Sequence, residues 1–184
     1  MQRIEGGDVK LLDVLAIPLE ESGPDYGFQP ENRLVAKGTW RKVGQVGVEA
    51  ILPYCEDIPF ILHNRRADRV AWKFIEALPS RQKKSLQLVR ARRVEFRKAT
   101  SARGRIQVRA SFPYRGSRYD MVVTDLVAER RTKRNTKISS DCILTISLGG
   151  PFPEHDPDPQ CYKLVAGVVE LCPRDHRPSQ GRSR

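Results

Sequence analysis

The sequence predicts a mainly β protein built from small barrels, with one or two short helices. Three observations point there. Apolar runs of strand length recur between clusters of Gly, Pro, Asn and Asp, the spacing of a barrel or sandwich. Residues 103–112 alternate in polarity: Arg103, Arg105, Gln107, Arg109 and Ser111 fall on one side of a strand, Ile106, Val108, Ala110 and Phe112 on the other. Helical periodicity is clearest in a single stretch, residues 67–78.

In chain order, Leu11 to Ile17 is a short apolar run stopped by Pro18 and reads as a buried strand. Residues 20–30, with Gly23-Pro24-Asp25 and Gly27, read as loop. Short strands are expected around residues 33–36 and 40–43, and a short helical turn between Val46 and Leu52 before Pro53. In the helix of residues 67–78, Val70, Ala71, Phe74, Ile75 and Leu78 form the apolar stripe, Trp72 and Lys73 lie off it, and Pro79 stops it.

Strands follow from Leu86. Keeping strict parity through Arg90 and Arg92 would turn two guanidinium groups inward at large cost, so a bulge or turn is expected near residues 90–93. Residues 100–104 are a loop, and Pro113-Tyr114-Arg115-Gly116-Ser117 a hairpin turn returning through residues 118–124. Residues 125–137 read as a solvated basic loop, 142–148 as a strand, 149–160 as a Pro-rich loop and 162–171 as a central strand. The tail, residues 173–184, is expected to be disordered.

Charge is concentrated in the middle of the chain. Residues 81–137 hold 18 Lys and Arg against 4 Asp and Glu, whereas residues 1–80 hold 10 against 12 and residues 138–184 hold 5 against 6. Such an imbalance favours a polyanionic partner, nucleic acid first. An arginine at every second strand position repeats at about 6.5 to 7 Å, close to the phosphate spacing of an extended single strand. A solvated strand face carrying charge is the alternative. No apolar run reaches the about 18 residues that span a bilayer, and the N-terminus lacks a secretory h-region. The expectation is a cytoplasmic protein with no membrane partner.

Cys55, Cys142, Cys161 and Cys172 contain no Cys-x-x-Cys pair, so a zinc ribbon is not expected and free thiols are. His63, His155 and His176 are scattered. The segment Glu154-His155-Asp156-Pro157-Asp158 reads as solvated loop rather than a cation site. No Gly-x-Ser-x-Gly, Walker-type or Gly-x-Gly-x-x-Gly segment occurs. The expectation is a non-catalytic protein with no cofactor and no metal.

Four segments then occur in a telling order: Gln29-Pro30-Glu31-Asn32 followed by Trp40; residues 119–125 ending in Thr124-Asp125; Ser147-Leu148-Gly149-Gly150-Pro151-Phe152; and Cys161-Tyr162-Lys163-Leu164-Val165-Ala166. Together they resemble the bacterial dual OB-containing domain family over residues 9–171. The resemblance implies two fused OB-like barrels and a role in sensing or binding nucleic acid, proposed for prokaryotic conflict systems. On that reading residues 1–80 form a first OB-like half and residues 81–172 a second, basic one. Family members begin with a further strand pair that nothing before Asp8 matches, so the first barrel is expected to be incomplete, with an exposed edge strand that can recruit a protein partner. The family-motif residues are Gln29, Asn32, Trp40, Thr124, Asp125, Ser147, Tyr162 and Lys163.

The expected nucleic-acid contacts are Arg103, Arg105 and Arg109 along the strand, Arg115 and Arg118 at the hairpin tip, and Lys133, Arg134 and Lys137 beyond it. Tyr114 and Tyr119 are expected stacking platforms for bases, with single-stranded DNA or RNA favoured. The other readings are a protein-interaction adaptor in a conflict system and a metal-dependent nuclease using Asp125.

Overall fold

The computed structural model describes residues 4–101, 103–153 and 155–171; the expected disordered tail, Cys172 and Glu154 lie outside the described residues. The basic half folds from six strands: β5 (Leu86–Ala91), β6 (Glu95–Thr100), β7 (Ile106–Tyr114), β8 (Ser117–Val123), β9 (Cys142–Phe152) and β10 (Gln160–Glu170). Their order is β5-β9-β10-β8-β7-β6. Strands β5 and β6 are two halves of one bent strand, joined through Arg92-Arg93-Val94. The first half pairs with β9 and the second with β7, so the sheet closes on itself. Every pairing is antiparallel except β8 with β10. A five-stranded barrel with a bent first strand and this Greek-key order is the OB topology.

The bend falls where the arginines required it. Arg93 takes a left-handed φ of 55°, and Arg90, Arg92 and Arg93 all stay exposed while Ala91 and Val94 are buried. At the hairpin tip Arg115 (φ 47°) and Gly116 (φ 77°) are both left-handed, as a two-residue type I′ turn demands.

Alternation along β7 and β8 is as the sequence indicates. Val108, Ala110, Phe112 and Tyr114 face Tyr119, Met121 and Val123 inside the barrel. Burial of apolar side chains of this size is worth about 1.5–3 kcal/mol each. The same core takes in Phe28, Ile61, Leu62, Val70 and Ile75 from earlier in the chain.

Strand β4 (Arg69–Ala71) adds to β10 antiparallel, and helix α1 (Trp72–Ala77) follows it directly. The helix expected over residues 67–78 is therefore shorter, because its first turn is taken up as a strand. The change of phase alters its buried face. Trp72, expected off the stripe, packs edge-on against Phe28 at 5.7 Å, while Phe74, expected in the core, is 48% exposed beside His63.

Helix α2 (Leu126–Lys133) occupies the stretch read as a basic loop. Charge content concealed a spacing of four, Ala128 and Thr132, that buries one face against the barrel. Strand β9 also runs past the expected end at residue 148, because Pro151 and Phe152 still pair with Cys161 and Gln160.

The N-terminal strands β1 (Ile4–Glu5), β2 (Asp13–Ala16) and β3 (Trp40–Gln45) form a separate sheet of order β1-β3-β2. Phe28 is the only buried residue among described residues 4–60. No residue of the Leu11–Ile17 run is fully buried, against expectation: Leu11 and Val14 are exposed, and Leu12 packs partly buried against Ile143, Val169 and Leu171 of the barrel. Residues 33–36 contribute only an isolated bridge, Leu19 to Val35.

Candidate nucleic-acid interface

The outward side chains of β6, β7 and β8 were expected to form a cationic face, and the structure matches them with carboxylates. Arg97 meets Asp120 at 2.8 Å. Arg109 bridges Asp120 at 3.2 Å and Asp68 at 3.4 Å and is only 16% exposed. Arg118 faces Glu95 at 3.2 Å, and Arg115 pairs with Asp57. Asp57 and Asp68 come from the half of the chain with an acidic balance, folded against the barrel. The regional net charge could not reveal these two partners, because Asp68 and Asp57 lie more than forty residues from Arg109 and Arg115 in sequence; Asp120 and Glu95 lie within the basic stretch itself.

Tyr114 and Tyr119 are not stacking platforms. Both point into the barrel, 9% and 0% exposed. The Tyr114 hydroxyl donates to the Glu56 carbonyl at 3.0 Å, and the Tyr119 hydroxyl accepts from the Ile61 amide at 3.1 Å. Burial pushes both phenols above their ordinary pKa. Even parity from Phe112 across the tight turn sends them inward.

The loops at the far end of β7 differ. Arg103 and Arg105 are exposed on the loop joining β6 to β7, which is tied by Ser101 N–H to Arg105 O at 2.8 Å and Gly104 N–H to Ser101 O at 2.9 Å. Neither arginine has a carboxylate within ion-pair distance among the described residues. The Arg103 guanidinium carbon lies 5.2 Å from the centre of the Phe152 ring, at the start of the loop joining β9 to β10. Phe152 is 46% exposed. A second stack sets Arg69 over Tyr162 at 5.4 Å. Phe152 pairs with Gln160 in the β9–β10 ladder, and Gln160 and Tyr162 are two apart on β10, so both rings share the outer face. Phe152 and Arg69 were missed as site residues. No local signal marks them, since each stack joins segments distant in sequence.

The remaining expected contacts lie on and after α2. Lys133 pairs with Glu129, four residues earlier. Its carbonyl accepts from the Lys98 ammonium of β6 at 3.5 Å. Lys137 shares a pocket of about 320 Å³ with Arg97, Lys98 and Phe96. Arg134, at the helix C-cap, is exposed. These cations gather by β6 and α2, away from Arg115 and Arg118 at the hairpin tip.

The family-motif residues join segments together. Asp125 caps α2, its Oδ1 accepting from the Val127 and Ala128 amides at 2.9 and 2.8 Å and its Oδ2 from the Val168 amide at 2.9 Å. The Thr124 amide and hydroxyl donate to the Val165 carbonyl. Gln29 reaches the Leu148 carbonyl and accepts from Asn32. Trp40 opens β3 half-buried, and Ser147 lies between Leu86 and Leu164 in the ladder. Lys163 is buried, its ammonium donating to the Asn64 carbonyl and side chain, both at 2.9 Å, and to the Arg66 carbonyl at 3.1 Å. Desolvation pushes its pKa down to about 7, opposed by Asp68.

Among the described residues no three His, Cys, Asp or Glu side chains converge as a metal site, and no helix is long and apolar enough to cross a membrane. Cys142 and Cys161 are buried free thiols, pushed by desolvation up to about 12 and about 11.

A closed barrel of this strand order, with one cation–ring pair at the β6–β7 loop and a second between β4 and β10, defines an OB-type module. The particular family follows from the sequence match: the model for the dual OB-containing domain covers residues 1–168, and the chain belongs to that family. Comparison with curated proteins and with solved structures gave no match.

Proposed function

We propose that the protein binds single-stranded nucleic acid, without catalysis, at the end of the barrel formed by the β6–β7 and β9–β10 loops. The observation that carries this reading is the difference between two sets of arginines. Those on the strand face already have carboxylates, so a phosphate there competes with an existing partner; among the described residues Arg103 and Arg105 have none. OB barrels take oligonucleotides on strands 2 and 3 and on these two loops. Arg103 and Arg105 contact phosphates, and Phe152 and Tyr162 offer rings on which bases stack. Lys98, Arg134 and Lys137 extend the cationic path around β6 and α2. Anisotropy of a labelled single-stranded oligonucleotide tests it. Affinity falls with salt, at a slope near −0.7 per phosphate contact, and Phe152→Ala with Arg103→Ala abolishes binding without lowering the thermal midpoint. Affinity unchanged in that variant overturns the reading.

A second reading, an adaptor that docks a protein partner, is favoured by the N-terminal sheet. Val14 on β2 and Val43 on β3, with Val9 and Leu11 just before β2, are each 39% exposed or more, and β2 has an open edge. Stoichiometric co-purification of a protein lost on Val14→Lys would favour it.

A further inference from the structure

A basin of about 1020 Å³ lies at the opposite end of the barrel. It sits between the bend of the first strand, the β7–β8 turn and the Leu52–Asp57 segment. Strand β7 separates it from the Arg103 loop by roughly 27 Å, eight steps of strand rise. Four arginines line it: Arg90, Arg92, Arg93 and Arg115.

These cations are weakly compensated. Arg92 and Arg93 are exposed and have no carboxylate within ion-pair distance among the described residues. Arg90 reaches Asp141 only at 3.5 Å. Arg115 pairs with Asp57, which is 74% exposed and therefore held in a water-screened, easily exchanged contact. Glu56, the other acid at the rim, is engaged by Lys84 at 2.6 Å. The backbone adds a separate observation. Arg93, at the bend of the first strand, and Arg115, in the type I′ turn, both occupy left-handed conformations that glycine fills without strain. Here both strained positions place guanidinium groups at one concavity.

We infer that this basin is a second anion site, taking a phosphomonoester or polyphosphate group whose oxygens are met by the planar donors of Arg92, Arg93 and Arg115. Planar guanidinium groups suit multidentate phosphate recognition. The group could belong to a free nucleotide or to the 5′ end of a strand. The site does not depend on binding at the Arg103 end.

Titration of the full chain with pyrophosphate, with adenosine triphosphate and with matched oligonucleotides bearing a 5′-phosphate or a 5′-hydroxyl tests it. Saturable binding of at least one phosphate probe is expected, weakened at least tenfold by Arg92→Ala with Arg93→Gly and unaffected by Arg103→Ala. Glycine relieves the strain at position 93, so the thermal midpoint of that variant stays level or rises; Arg92→Ala alone is the check should it not. Preference for the 5′-phosphorylated strand assigns the site to chain ends, and nucleotide binding without that preference assigns it to free nucleotides. No binding of pyrophosphate or of adenosine triphosphate, together with no 5′-phosphate preference, overturns the inference, as does equal binding by the arginine variants.

Discussion

The Lys163 ammonium and Asn64 meet twice, at the backbone carbonyl and at the side-chain oxygen, both at 2.9 Å. One buried cation on the last strand thereby holds the Asn64–Asp68 segment against the barrel, with the Tyr119 ring 5.1 Å from the same nitrogen. That segment carries Asp68, the partner of Arg109. Lys163 therefore helps neutralise a strand face it does not touch.

Replacing it tests that arrangement. Lys163→Met leaves the Arg66 carbonyl without its donor and the Asn64 carbonyl with only the Tyr119 hydroxyl at 3.3 Å, at a cost of about 2 kcal/mol. Denaturant unfolding should show the loss. A variant as stable as wild type would mean that the segment is held by its other contacts, among them the Ala67 and Asp68 carbonyls with the Asp120 and Lys163 amides.

The pH dependence follows from three buried groups. Lys163 has a folded pKa of about 7 against 10.5 unfolded. Between those values the folded state holds fewer protons than the unfolded one, so stability rises with pH from about 7. Cys142 and Cys161 are shifted the other way, from 9.0 up to about 12 and about 11, so their contribution is full below pH 9 and is lost above it. Urea midpoints should climb from pH 7 to a maximum near pH 9 and then fall. Lys163→Met should remove the climb and keep the fall.

Two arginines four residues apart should behave differently. Arg105→Glu should weaken oligonucleotide binding at least tenfold at unchanged thermal midpoint. Arg109→Glu should lower the midpoint, because it sets a third carboxylate beside Asp68 and Asp120 in a site where breaking a partly buried pair costs about 3 kcal/mol. Calorimetry beside anisotropy separates the two. Equal midpoints would show that Arg109 is dispensable to the fold.

Asp125 is the remaining case. Asp125→Ala removes the α2 cap and the acceptor for Val168, and should cost about 1–3 kcal/mol while leaving oligonucleotide affinity intact in the folded fraction. Nuclease activity that disappears with this variant and with chelator would instead make Asp125 catalytic.

What the sequence determined by itself was periodic and local. The alternation from Arg105 to Phe112 placed β7 and its inward side, the cost of burying Arg90 and Arg92 placed the bend, and Arg115-Gly116 placed the hairpin. Backbone geometry and side-chain parity act over a few residues, so they can be read along the chain. What only the tertiary structure decided was which charges remain free. Asp57 and Asp68 fold back from the first half to neutralise Arg115 and Arg109, Tyr119 turns inward, and Arg103 stacks on Phe152, because ion pairs and ring contacts depend on distances in space that no sequence interval fixes.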